Sequence, residues 1–341
     1  MSPPQEHHSG LGTLAGLVTV LLTLLGWSVT PLFIKHFATP DSPGYIDPWT
    51  SNGWRYGFSA LLWGVPLVIW QFRKKLPPGL WKAALIPALM NCLGQLGFTW
   101  AHYKIDPGLL TFGLRAQMIV VAVGAAVLFP IERLVIRRAA FIAGLIMVMG
   151  GTAGTIYFDR GFGEGTTMFG VGLALWAGVF FAGYALAVRK CMAGMNPMMS
   201  FAVISQYTAG TMVVIMLLIG DEHGLAATRM PADQFGLMLL SSVIGIGLGH
   251  VLYYISIAKL GVAVSTGVIQ LQPFTVAVLS YVWFGEVLKT SQWVTGSVAV
   301  GGAVLMLIVQ HRVVSKARKS RRERGGLPAD HVAAAAEEET G

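Results

Sequence analysis

Residues 111–118 read "TFGLRAQM" and residues 266–273 read "TGVIQLQP", both in strongly apolar surroundings. Laid over one another at an offset of 155 residues, they superpose Thr111 on Thr266 and Gln117 on Gln272. The same offset brings Lys35 onto Lys190, Gly94 onto Gly249, Lys104 onto Lys259 and Phe129 onto Phe284. Apolar sequences match by chance, so no one of these coincidences carries weight, but six in a single register point to an internal duplication. The unit that was duplicated follows from the hydrophobic runs on either side.

The 341-residue chain is 54% hydrophobic and 12% charged, where a soluble domain is about one quarter charged. Runs of about 20 apolar residues, enough to cross a bilayer as helices, recur at 12–36, 52–72, 81–104, 108–129, 136–157, 167–190, 198–219, 234–257, 262–284 and 291–311. The expected fold is therefore an all-α polytopic membrane protein with ten transmembrane helices. The duplication makes them two five-helix repeats, 12–157 and 158–311, flanked by a short N-terminus, 1–11, and a basic, then low-complexity tail, 312–341. Because five is odd, the second copy enters the membrane from the opposite side, and inverted repeats of this kind recur in secondary transporters, with the binding site near the repeat interface. The first run lacks the basic leader and short core of a signal peptide, so it is expected to be retained as a span.

Charge settles the expected orientation. With both termini in the cytoplasm, ten basic residues from Arg73 to Lys259 and seven in the tail lie inside, against six outside: Lys35, Arg55, Lys104, Arg160, Arg229 and Lys289. The net charge of +8 is thus a topology signal. Basic residues are not interleaved with exposed aromatics, so no nucleic-acid partner is expected. Cys92 and Cys191 suggest neither a disulfide framework nor a metal site.

Catalytic motifs are missing from the sequence: there is no metalloprotease helix, nucleophile elbow or phosphate loop. All sixteen acidic residues fall in loops, span ends or termini, which argues against an intramembrane protease and against cation/proton antiport through a buried carboxylate. Neither an enzyme nor a cofactor is expected.

Of the Lys and Arg residues, Arg115 is the one assigned to neither side, lying within a span roughly 10 Å below its outer end at 1.5 Å per residue. A guanidinium there costs about 2.5–3.5 kcal/mol on the insertion scale, and its planar fork suits a carboxylate or phosphate. It is read either as a recognition group for an anionic or zwitterionic solute or as a tie between helices. Gln117 and Arg115 diverge by about 200° on an ideal helix, as do Gln270 and Gln272. Arg115 and Gln270 are accordingly expected to face the central cavity from the two halves, with Gln117 and Gln272 bonding to neighbouring helices, or the faces are exchanged. Pro273 is expected to kink its span.

Further candidate lining residues are Asn91 and Gln95, four apart on one face, and the aromatics Trp27, Tyr184, Tyr253 and Tyr254, each of which also suits packing. His250 is a candidate for proton coupling or a neutral packing histidine; His102 is a weaker one. Gly150 with Gly154 and Gly245 with Gly249 have small-xxx-small spacing for close helix approach. Glu132 and Glu286 are read as caps or partners of Arg133 and Lys289.

The segment 249–307 resembles the last three spans of the EamA family in the drug/metabolite transporter superfamily, and 99–152 resembles the same pattern more loosely. The likeness runs through Ala258-Lys259-Leu260-Gly261, Pro273, Glu286, Gly296 and Gly301-Gly302, with "GWSVTPLFIKH" at 26–36 and Arg55 also fitting. Two departures are the long connection after the first span and Met118 opposite Pro273. The resemblance implies a ten-helix transporter of the bacterial inner membrane, monomeric or homodimeric, whose partners are a small-molecule solute and the lipid bilayer. The expected function is secondary transport of a small polar metabolite, an amino acid or organic acid, by alternating access. The alternative is an uncoupled channel or a membrane protein of structural or receptor type.

Overall fold

The computed structural model describes residues 10–260, 265 and 268–323. Among these residues the chain is helical throughout, with no strand: α1 (Gly10–Ala38), α2 (Pro48–Phe72), α3 (Leu80–Ala101), α4 (Pro107–Gly113), α5 (Gln117–Leu128), α6 (Pro130–Ile136), α7 (Ala139–Tyr157), α8 (Gly165–Cys191), α9 (Pro197–Ile219), α10 (Ala232–Ser242), α11 (Gly249–Leu260), α12 (Gln272–Phe284) and α13 (Thr290–Glu323). Local sequence explains many of the boundaries. Proline occupies the first turn of α2, α4, α6, α9 and α12, where its missing N–H costs no hydrogen bond. Asp47 caps α2 by accepting from Trp49 N at 2.9 Å and Thr50 N at 3.0 Å, and Asn196 caps α9 in the same way.

Seven helical stretches among the described residues are long and apolar enough to cross a membrane. Helices α2 and α3 have spanning length, 25 and 22 residues, but are diluted by polar groups that they bury: Thr50, Ser51, Asn52, Arg55 and Ser59 on α2, Asn91 and Thr99 on α3. The expected span 262–284 falls partly outside the described residues. From Val268 onward it is interrupted by a turn at Gln270–Leu271 before α12 begins. The last helix stays helical through Glu323, well past the expected end at 311.

Large apolar side chains face outward as well as inward, and polar ones are buried among the helices. Leu61, Phe72, Val127, Ile146, Leu218 and Val282 are exposed, whereas Ser28, Ser59, Thr99, Thr208, Ser241 and Ser280 are buried. An apolar exterior around a small, polar-containing interior is the arrangement that lipid imposes, because hydrocarbon offers helices no hydrophobic reason to associate and packing with interhelical hydrogen bonds must do so.

Four long pairings organise the bundle: α2 with α9, α7 with α13, α3 with α8, and α1 with α11. The α7–α13 crossing depends on glycine. A Cβ on Gly144 would lie 2.8 Å from the Gly302 carbonyl, and one on Gly151 would strike the Ala299 and Thr295 backbone. Gly154 packs on Thr295 as its spacing suggested, whereas Gly150 meets nothing within 4 Å. The close-packed face is therefore set by Gly144, Gly151 and Gly154. Gly245 and Gly249 do form a small-residue face, against Thr30 and Trp27 of α1.

At one end of the bundle the two long connections pack on each other. Ile46 N donates to Phe37 O, and Ile46 is buried with Phe33, Phe37, Ala227 and Met238. Asp221 N donates to Asp47 Oδ2 at 3.1 Å, and Trp54 Nε1 donates to Gly224 O at 2.8 Å. Together they cap α1, α2 and α10.

Candidate functional site

Arg115 sits in a single 3₁₀ turn, Leu114–Ala116, that separates α4 from α5. The expected span runs on as one helical stretch, Pro107–Leu128, tightened to 3₁₀ geometry where the arginine lies, and the turn at Gln270–Leu271 falls 155 residues further along the chain. Short non-α turns inside helices mark sites under strain or in use.

The side chain is buried, and three of its five N–H groups are bonded. Nη1 donates to Gln270 Oε1 at 2.7 Å, Nη2 to Gln272 Oε1 at 3.4 Å, and Nε to Thr111 O at 3.3 Å. The sequence reading had Gln270 and Gln272 pointing apart. Both instead reach one guanidinium, from either side of the turn at Gln270–Leu271. Gln272 also donates from Nε2 to Trp27 O at 2.9 Å, and Ser28 Oγ meets Thr275 Oγ1 at 2.5 Å, so α1 joins the same node.

Hydrogen bonds from a charged donor contribute about 1.5–3 kcal/mol each, so three of them offset the burial of the guanidinium without a ligand. They leave its charge in place. Among the described residues no carboxylate lies within ion-pair distance of Arg115. A buried cation with satisfied geometry and no counter-charge, carrying two further N–H groups, is chemically suited to an anionic group.

An aromatic wall adjoins this node through Trp27. Its indole packs edge-on against His250 at 5.3 Å and tilts against Tyr253 at 5.1 Å, while Nε1 donates to Gly245 O at 3.2 Å in a widened, π-type stretch, Val243–Leu248. His250 is stacked on Phe201, with ring centroids 4.4 Å apart, and its Nδ1 lies 3.1 Å from Ile246 O. The ring is sandwiched between two aromatics, the setting of a packing histidine.

The remaining lining candidates scatter. Asn91 is buried and donates to Thr208 Oγ1 at 3.0 Å, tying α3 to α9. Tyr184 packs against the apolar cluster formed by α2, α3 and α9, and Gln95 on α3 is half-buried. Gln117 packs against Gly178 of α8. The side chains of Tyr254 and Glu132 lie outside the described ones. Glu286 does not pair with Lys289: it accepts from Ser280 Oγ and meets the Asp106 carboxyl.

A second polar cluster was not singled out from the sequence. Arg55 is buried, donates from Nε to Ser241 Oγ at 2.9 Å, and has its carbonyl bonded by Ser242 Oγ. Nearby, Thr99 Oγ1 donates to Asn52 Oδ1 at 2.7 Å. Asn52 Nδ2 and His102 Nε2 are buried without a hydrogen-bond partner. The signal was present: Asn52, Arg55 and Ser59 recur at helical spacing on one face of α2.

This fold and these buried polar nodes define a polytopic helical membrane protein. Residues 168–308 match the EamA-like transporter family, so the resemblance read from the sequence is shown for the second half of the chain. A probable terminal-alkyne amino-acid exporter of Streptantibioticus cattleyicolor is 29% identical over 112 residues, which are 33% of this chain and 36% of that protein; the match thus spans about a third of the relative's length. A solved crystal structure covering 89% of this chain and 98% of its own superposes with a TM-score of 0.56 at 16% identity, which is a likeness of fold.

Proposed function

We propose that the protein is a secondary transporter that moves a small anionic or zwitterionic metabolite, an amino acid or organic acid, by alternating access. In this reading ten spans form two inverted five-helix repeats, both termini are cytoplasmic, and the end capped by the two long connections is the outer one. The observation that carries it is the bond from Arg115 to Gln270, 155 residues apart. That separation is the repeat offset, so the two positions meet across the axis that would relate the halves.

The helix pairings support the same symmetry. Exchanging spans one to five with six to ten returns the pairs α2–α9 and α7–α13 to themselves and turns α1–α11 into α8–α3. Two halves that can rock about a common node have a direct use in alternating access and none in a scaffold. The node offers an uncompensated guanidinium and an indole wall, which fit a carboxylate and the apolar remainder of an amino acid. The name of the exporter relative agrees with that solute class.

In proteoliposomes loaded with a pool of amino and organic acids, saturable counterflow of a labelled solute is expected. Loss of that counterflow in Arg115→Gln, with unchanged insertion and gel-filtration behaviour, is expected as well. Normal transport by Arg115→Gln would remove the assigned role.

A further inference from the structure

At the end read as outer, a cavity of about 360 Å³ opens between the two halves. Its walls come from the α3–α4 connection, the α7–α8 connection, the end of α12 and the start of α13. Two carboxyls meet at its rim. Asp106 belongs to the first half, and Glu286 follows Gly285, whose positive φ of 70° ends α12 and turns the chain towards the cavity. Glu286 is half-buried, accepts from Ser280 Oγ and lies within hydrogen-bond reach of the Asp106 carboxyl. Lys35 Nζ of α1 stands 3.5 Å from Asp106 Oδ1 and 3.5 Å from Ile105 O.

Two carboxyls can share a hydrogen bond only if one of them keeps its proton. Once both are ionised the same contact becomes a repulsion between the halves. We propose that Asp106 and Glu286 form a proton-binding latch that holds the outer mouth closed when a proton is shared and releases it when the proton leaves. The inference deepens the transport reading, on which its outer placement rests, by naming the proton as a ligand of this mouth.

The surroundings set the direction. Burial and the Asp106 charge push the Glu286 carboxyl up to about 7, against the opposing pull of Ser280 and Lys35. The other charged groups facing the cavity are Lys104 beside Asp106, Asp159 and Arg160 of the α7–α8 connection, and Lys289 stands at the foot of α13. Asp159 is occupied by Gly161 N at 2.9 Å and Gln292 Nε2 at 3.3 Å. The closed form binds the proton more tightly than a solvated carboxyl would, so acid favours it, and that advantage is lost as the pH rises through about 7.

The test reads the mouth directly on purified, detergent-solubilised protein. In a background with Cys92→Ala and Cys191→Ser, Ala277→Cys in the cavity wall is labelled with a maleimide at pH 6 and pH 8. Its rate is normalised to Leu225→Cys, exposed in the connection after α9, which corrects for the reagent and for an exposed thiol, while the same wall cysteine in Glu286→Gln controls for the buried thiol's own pH dependence. The normalised rate is expected to rise at least threefold from pH 6 to pH 8, and to become pH-independent in Glu286→Gln, which keeps a neutral hydrogen-bonding side chain. An unchanged ratio in the parent, or the same rise in Glu286→Gln, would overturn the latch. Neither result depends on transport, so counterflow tests the proposed function separately.

Discussion

Arg115 shows how a single buried residue can be structurally satisfied and still have chemistry left. Its bonds to Gln270, Gln272 and the Thr111 carbonyl secure the side chain, yet none of these neutral partners cancels its charge. Arg115→Lys separates the two properties, because a lysine keeps the charge but cannot span both glutamines. That variant should lower the apparent Tm, the loss of one charged hydrogen bond being worth about 1.5–3 kcal/mol, and should weaken solute binding in a thermal-shift titration. An unaltered Tm would mean that the fork does not brace the helices. His250 makes the converse case. Stacked on Phe201 and edge-on to Trp27, it should tolerate His250→Phe with the pH profile of counterflow unchanged; a flattened profile would return it to proton coupling.

Among the elements, helix crossings follow small residues, and breaks follow positions that no simple periodicity reveals. Gly151→Leu on α7 would drive a side chain into the Ala299 and Thr295 backbone of α13. It should therefore reduce the yield of folded protein and lower the Tm, overpacking costing about 1–3 kcal/mol, whereas Gly150→Leu, with nothing within 4 Å, should behave like the parent. Equal losses in both would contradict the assigned face. These crossings also show what could be read in advance. The apolar stretches and the Gly245–Gly249 face were legible because each depends on neighbours in sequence. The convergence of Gln270 and Gln272 was not, because a turn at Gln270–Leu271 stands in place of the ideal helix from which the 200° divergence was calculated. Nor was the partner of Glu286, since Asp106 lies far away in the chain and only the packed bundle brings it near. Arg55 was visible but passed over as a marker of fold, although its spacing with Asn52 and Ser59 described a buried polar face.

At the scale of the molecule, an apolar exterior and four long helix pairings surround a buried polar node where Arg115 meets Gln270. The EamA-like match over residues 168–308 rests on sequence alone, and the likeness of fold to a solved structure extends over 89% of the chain. The central claim is that this node binds the solute that the protein carries, and counterflow in proteoliposomes tests it most directly. Parent protein should exchange a labelled amino or organic acid with saturation, and Arg115→Gln should show less than about a tenth of that rate, the loss of one charge-assisted contact being worth a factor of ten or more. Equal, saturable exchange by the parent and by correctly folded Arg115→Gln would contradict the account.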